Sequence, residues 1–128
     1  MFTKVLIPTD LSAASMLMAE RVGEIPGVRE VVLLHARRSD GPQPDEDQLY
    51  RMQERVQQQG ITAAISIAED DGTDVAERVL RAADEMGAGL IAMGVRDPGL
   101  LRNLLSGNVA ATVLRKARTH VLIVPQSG

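Results

Sequence analysis

The stretch from Gly89 to Asn108, GLIAMGVRDPGLLRNLLSGN, decides the fold. Leu90-Ile-Ala-Met-Gly94 reads as a buried strand, the next residues hold Gly94, Pro98 and Gly99 in a loop, and Gly107-Asn108 opens a helix, VAATVLRKA. A strand that runs through a glycine loop into a helix N-terminus is a place to hold an anion, because free backbone N–H groups and the positive end of the helix dipole converge there. Gly94 to Gly99 has the first spacing of a P-loop, but Leu100-Leu101 stand where Lys and Ser/Thr should be, which removes that class of NTPase. Gly87-Ala-Gly89 precedes a strand and lacks a third glycine, so it is no dinucleotide fingerprint.

Outward from that stretch the same alternation continues. Thr3 to Thr9, TKVLIPT, predicts a first strand with a four-residue apolar centre buried on both faces, as in a parallel sheet. Asp10 or Ser12 is placed to cap a helix over residues 13 to 23, with Ala13, Met16, Leu17 and Glu20 to Val22 as a ragged apolar face. Val31 to Ala36 predicts a second strand. A helix to Gln59 follows, with Leu49, Met52 and Val56 on one face and Gly60 as its C-cap. Ile61 to Ala68 predicts a third strand. Asp74 and Glu77 then start a helix whose inner face is Val75, Val79, Ala82, Ala83 and Met86, stopped by Gly87. After the helix carrying Val109, Val113 and Ala117, His120 to Pro125 predicts a fifth strand. Five strands alternating with four helices imply a single α/β domain over residues 1–128, a parallel sheet between two helix layers.

Composition narrows the chemistry. At 128 residues and 45% apolar, the chain can bury a substantial core, but with Phe2 and Tyr50 as its two aromatics that core is aliphatic. Two rings cannot build an aromatic box. The absence of cysteine excludes disulfides, thiolate catalysis and zinc–thiolate sites. Met1 leads directly into a strand with no leader-like segment, and no apolar run reaches membrane-spanning length, so the expectation is a cytoplasmic protein with no membrane partner. The net charge of −3 argues against general nucleic-acid binding. The charge is uneven: residues 1–89 carry a net −7 and residues 90–128 a net +4, the positive part coinciding with the anion loop. Glu69-Asp70-Asp71-Gly72 is read as a solvated turn, since consecutive carboxylates point apart and no spaced ligand set accompanies them. His35 and His120 sit at strand ends and are read as structural. No nucleophile-and-base pattern links Ser12, His35 and Asp10, which leaves no catalytic residue to name.

KVLIPTD, VVLLHA, AERVLRAADEMGAGLIAMG, SGNVAATVLRKA and HVLIVP together resemble the universal stress protein family over essentially the whole chain. The segment from Gly94 to Asn108 is similar to that family's nucleotide signature, G-x2-G-x9-G-[ST], with two departures: Asp97 stands for the middle glycine and Asn108 for the hydroxyl residue. The resemblance implies strand order 3-2-1-4-5 and the adenine nucleotide α-hydrolase-like fold. It also implies a crevice in which Pro8, Thr9 and Asp10 meet the ribose or adenine side, Ala36 the adenine edge, and Met93-Gly94 the underside of the nucleotide. The signature residues Asp97, Gly107, Asn108 and Val109 would line the phosphates, with ATP the implied ligand and Mg²⁺ accompanying it. Asp97 makes that crevice degenerate: two like charges about 5 Å apart at an effective dielectric near 20 repel by roughly 3 kcal/mol. In the implied order Val121 to Val124 forms an apolar edge strand, and the family's dimers join through this strand, so a homodimer is expected. The implied function is a dimeric stress-response binding module. An ATP-independent, protein-interacting form and a weak nucleotide-hydrolysing enzyme are the alternatives.

Overall fold

The structure, a computed structural model, describes residues 2–11, 13–36, 46–69, 74–95 and 109–125. In chain order the elements are β1 (Lys4–Thr9), α1 (Ala13–Arg21), a 3-10 turn (Val22–Glu24), β2 (Glu30–Ala36), α2 (Asp47–Gln57), β3 (Thr62–Ala68), α3 (Val75–Met86), β4 (Leu90–Val95), α4 (Val109–Lys116) and β5 (His120–Pro125). The strands form one parallel sheet in the order β3-β2-β1-β4-β5, as expected.

Successive strand residues point to opposite faces, and here both faces are covered. Val5, Ile7, Val31, Leu33, Leu90 and Ala92 meet Met18, Ala19 and Val22 of the α1 region and Met52 and Val56 of α2. Leu6, Leu34, Ile91 and Met93 meet Ala76, Val79 and Ala83 of α3 and Ala110 and Val113 of α4. At roughly 25 cal/mol per Å² of apolar surface removed from water, this double burial is what holds the central strands.

Local signals place several boundaries as read. Leu49, Met52 and Val56 are buried on α2. Asp74 caps α3, its carboxylate accepting from the Ala76 N–H at 3.4 Å, and Gly87 ends it in the left-handed conformation at φ 66°. Three expectations need correction. On α3 Val79 and Ala83 are buried and Ala82 and Met86 pack against the core as expected, but Val75 is exposed and Ala76 is buried in its place. α2 ends at Gln57, short of the expected Gln59, with Gln58 as its C-cap, and Gly60 takes the positive φ of 80° just beyond it. α1 stops at Arg21 and buries Ala14, Ser15, Met18 and Ala19, with Ala13 and Glu20 exposed.

Two glutamines close gaps between elements. The Gln59 amide donates to the carbonyls of Ala19 at 2.7 Å and Arg55 at 2.9 Å and accepts from the Gly23 N–H at 2.7 Å, clasping α2 to the end of α1. Thr62 N–H donates to Arg29 O, so Thr62 turns its peptide group toward β2 and Ala63, the next residue, turns outward from the sheet. There the Gln53 side chain of α2 donates to the Ala63 carbonyl at 2.9 Å. This covers part of the outer edge of β3. At the opposite edge β5 is half-buried from Val121 to Val124. Among the described residues no helix is long and apolar enough to cross a membrane.

Candidate functional site

In this strand order the chain reverses direction across the sheet between β1 and β4, and a crevice at such a reversal, beyond the carboxyl ends, is where open parallel sheets bind ligands. β1 pairs with β2 through six residues, from Lys4↔Glu30 to Thr9↔His35. With β4 it pairs at Val5↔Leu90 and Leu6↔Ile91. The Lys4 carbonyl accepts from the Gly89 N–H at 3.0 Å, so Lys4, Leu6 and Pro8 are the residues whose peptide groups face β4. Pro8 has no N–H to give. The ladder therefore stops before the strand ends, and the two carboxyl termini part.

The space is shaped from below by α1. A Cβ on Gly94 would overlap the Ala14 carbonyl, lying 2.6 Å from its carbon and 3.2 Å from the Ser15 nitrogen. Glycine at 94 thus lets the first turn of α1 press directly onto β4. That approach also explains why α1 buries small residues, Ala14 and Ser15, where the sequence pattern suggested Met16 and Leu17.

The turn from Thr9 to Leu11 is pinned by several hydrogen bonds. The Thr9 hydroxyl accepts from the Leu11 N–H at 3.0 Å and points its own hydrogen at the Met52 sulfur, 3.5 Å away. The Thr9 carbonyl faces His35 Nδ1 at 3.4 Å. The buried Ser15 hydroxyl donates to Asp10 Oδ1 at 2.9 Å and lies 3.4 Å from the Asp10 N–H. Leu11 sits at φ 64°, a left-handed conformation that costs a residue with a Cβ about 1–2 kcal/mol. The compensation is a fixed, solvent-facing Asp10 at the mouth of the crevice.

Of the residues read from sequence, Pro8, Thr9 and Asp10 are brought to the carboxyl end of β1, Met93 and Gly94 lie on the neighbouring β4, and Ala36 ends β2. Val109 is the first residue of α4. Asp97, Gly107 and Asn108 lie outside the described residues. Sequence reasoning missed Ser15 as the partner of Asp10, and Leu11 as a left-handed residue. It also missed the contact of His35 with Thr9. A hydroxyl five residues beyond a strand-ending Asp was the one available signal; nothing marks a leucine as left-handed.

Chemically this arrangement fixes the direction of a carboxylate. The Ser15 hydroxyl is committed to Asp10, and His35 is held by β1, so no activated nucleophile is assembled among the described residues. Among the same residues no group of three or more His, Asp or Glu side chains could hold a metal ion. A cleft of about 240 Å³ lies elsewhere, between Glu77 and Asp84 of α3 and Lys116, Arg118 and Thr119 at the end of α4. Its Lys116 and Glu77 are already paired at 3.3 Å on the surface, so we assign it no ligand.

Known structures share this architecture. A universal stress protein in complex with cAMP is 25% identical, with a TM-score of 0.77 and 98% of each chain covered. A universal stress protein family member from Burkholderia pseudomallei is 28% identical, with a TM-score of 0.71, covering 98% of this chain and 97% of the other. A family member from Arabidopsis thaliana with AMP bound shares the fold at 14% identity and a TM-score of 0.70, covering 98% and 93%. No curated protein matches the chain. The model of the universal stress protein family matches residues 1–125, nearly the whole sequence, and with the strand order and crevice above this makes the chain a member of that family.

Proposed function

We propose that this protein is a cytoplasmic stress-response module that binds an adenine nucleotide between the carboxyl ends of β1 and β4 and works as a homodimer joined through β5. The observation that carries the reading is the opened seam: Pro8 ends the β1–β4 ladder at the reversal of strand order, and Asp10 stands fixed at its mouth. The similar universal stress protein in complex with cAMP supports an adenine nucleotide as the ligand class. Asp97, at the position of a signature glycine, adds a negative charge on the phosphate side, so the crevice should favour nucleotides without the terminal phosphates of Mg-ATP, cAMP with its single negative charge above all. The dimer reading rests on the position of β5 at the edge of the sheet, with Val121 to Val124 half-buried.

Calorimetric titration of cAMP, AMP and Mg-ATP into wild type and Asp97→Gly tests the ligand. The expected result is micromolar binding of cAMP or AMP by wild type and Mg-ATP binding that strengthens by about a hundredfold in Asp97→Gly, the affinity equivalent of roughly 3 kcal/mol. No nucleotide binding by either protein would favour the ATP-independent, protein-interacting form. Sedimentation of wild type beside Ile123→Lys tests the dimer: a monomeric wild type would remove it from the proposal.

A further inference from the structure

α1 is held at its two ends by different neighbours. At its start the Ala14 carbonyl lies against Gly94 of β4, where a Cβ would overlap it, and the buried Ser15 hydroxyl donates to Asp10 Oδ1 at 2.9 Å. Both contacts belong to the crevice. At the other end stands the side chain of Gln59, which donates to the Ala19 carbonyl at 2.7 Å and accepts from the Gly23 N–H at 2.7 Å.

Those two partners are four residues apart. A Gly23 N–H and an Ala19 carbonyl are the pair that would bond directly if α1 ran on as a regular helix. The Gln59 amide stands between them as donor to one and acceptor to the other, and the chain passes into the 3-10 turn Val22–Glu24 instead. Gln59 is itself anchored: its N–H donates to the Val56 carbonyl at 3.0 Å and its side chain donates also to the Arg55 carbonyl at 2.9 Å, both in α2, whose Leu49, Met52 and Val56 are buried. The same helix meets the crevice turn through the Met52 sulfur, 3.5 Å from the Thr9 hydroxyl. α2 thus grips both the far end of α1 and the end of β1.

We propose that Gln59 is a positioning residue of the nucleotide crevice, acting through α1: its amide, set between Ala19 and Gly23, fixes the helix that seats Ala14 on Gly94 and aims Asp10 through Ser15. The inference rests on the nucleotide reading above and adds to it a residue at the opposite end of the sheet. From Ala14 to Ala19 is about 7.5 Å of helix, too short to bend, so freeing one end displaces the other. By reciprocity, a ligand that prefers the clasped helix also tightens the clasp.

Calorimetric titration of cAMP into wild type, Gln59→Ala, Gly23→Ala and the double variant, at a temperature where circular dichroism shows each to be folded, tests the route. Gln59→Ala should weaken binding about fivefold. Gly23→Ala should do nearly the same, because a Cβ there would overlap Gln59 Oε1 and lie 3.2 Å from Gln59 Cβ and Cδ, which swings the amide out of its place. The double variant should bind no more weakly than Gln59→Ala, since the added methyl then has no amide to displace. Because Gln59→Ala could fold poorly, amide exchange in wild type supplies a second readout: saturating cAMP should slow exchange of the Gly23 N–H about fivefold. The Gly87 N–H, which donates to the Asp84 carbonyl at 3.3 Å at the end of α3 in the other helix layer, should keep its rate and serves as the control. Affinity retained in Gln59→Ala, losses that add in the double variant, or Gly23 exchange that does not slow relative to Gly87 overturns this inference and leaves the nucleotide reading standing. Absence of cAMP binding by wild type overturns both.

Discussion

On its β2 side β1 is paired through six residues, from Lys4 to Thr9; on its β4 side the pairing covers Val5 and Leu6. The two seams are built from strands of the same kind, aliphatic and buried on both faces, so hydrophobicity does not separate them. What differs is a peptide group and a side chain. Pro8 withholds a donor on the β4 side alone, because alternate residues face alternate neighbours. Gly94 lets α1 press against the end of β4, whereas the end of β2 is tied to β1, with His35 Nδ1 3.4 Å from the Thr9 carbonyl. A crevice is thus opened in a sheet by two local omissions, a missing N–H and a missing Cβ, while the seam beside it stays paired to its end.

The largest effect on that contrast should come from Gly94→Ala. The added methyl overlaps the Ala14 carbonyl, which belongs to a helix backbone and cannot rotate away, so α1 must shift off the sheet. Overpacking of this kind costs about 3 kcal/mol, and urea denaturation should show a loss near that value. A loss below about 1 kcal/mol would mean that the seam has slack and that Gly94 does not set the position of α1.

Ser15→Ala should cost less, about 1–2 kcal/mol, by removing the buried hydroxyl that donates to the Asp10 carboxylate. Nucleotide affinity should fall alongside stability, since Asp10 would lose its fixed direction. Stability lost with affinity intact would show that the carboxylate is merely structural.

Pro8→Val should move stability least. It restores an N–H toward β4 but also lets the unfolded chain explore more conformations, and the two contributions offset to within about 0.5 kcal/mol. Amide exchange is the sharper measurement. Protection of the N–H that the substitution introduces would show the β1–β4 seam zipping further; rapid exchange there would mean that something other than Pro8 keeps the strands apart.

Much of this architecture is legible in the chain itself. VLIP, VVLL and LIAM are continuous apolar runs of strand length, and Asp74 and Gly87 mark the ends of α3 by chemistry that acts within a few residues. Pro8, Asp10 and Gly94 were also legible as residues at the strand ends beside the reversal of strand order, because the apolar runs stop there. Two of the misreadings share one cause. α1 buries Ala14 and Ser15 because of Gly94, which is far away in sequence, and Val75 is turned out because α3 seats Ala76 against the sheet. Small residues are invisible to a search for apolar periodicity, yet they are what close approach requires. Leu11 defied local preference altogether, held left-handed by the Thr9 hydroxyl and by contact of its side chain with the core.

The amide of Gln53, laid over the Ala63 carbonyl, has a bearing on arithmetic. A sheet with two bare margins can add copies at each and grow into a fibre of any length. A sheet whose β3 margin is partly covered by its own helix is hindered from adding there, and a second copy joined at β5 would bring its own covered margin to the far side. Both ends of such a doubled sheet would carry Gln53, which would favour a count that stops at two.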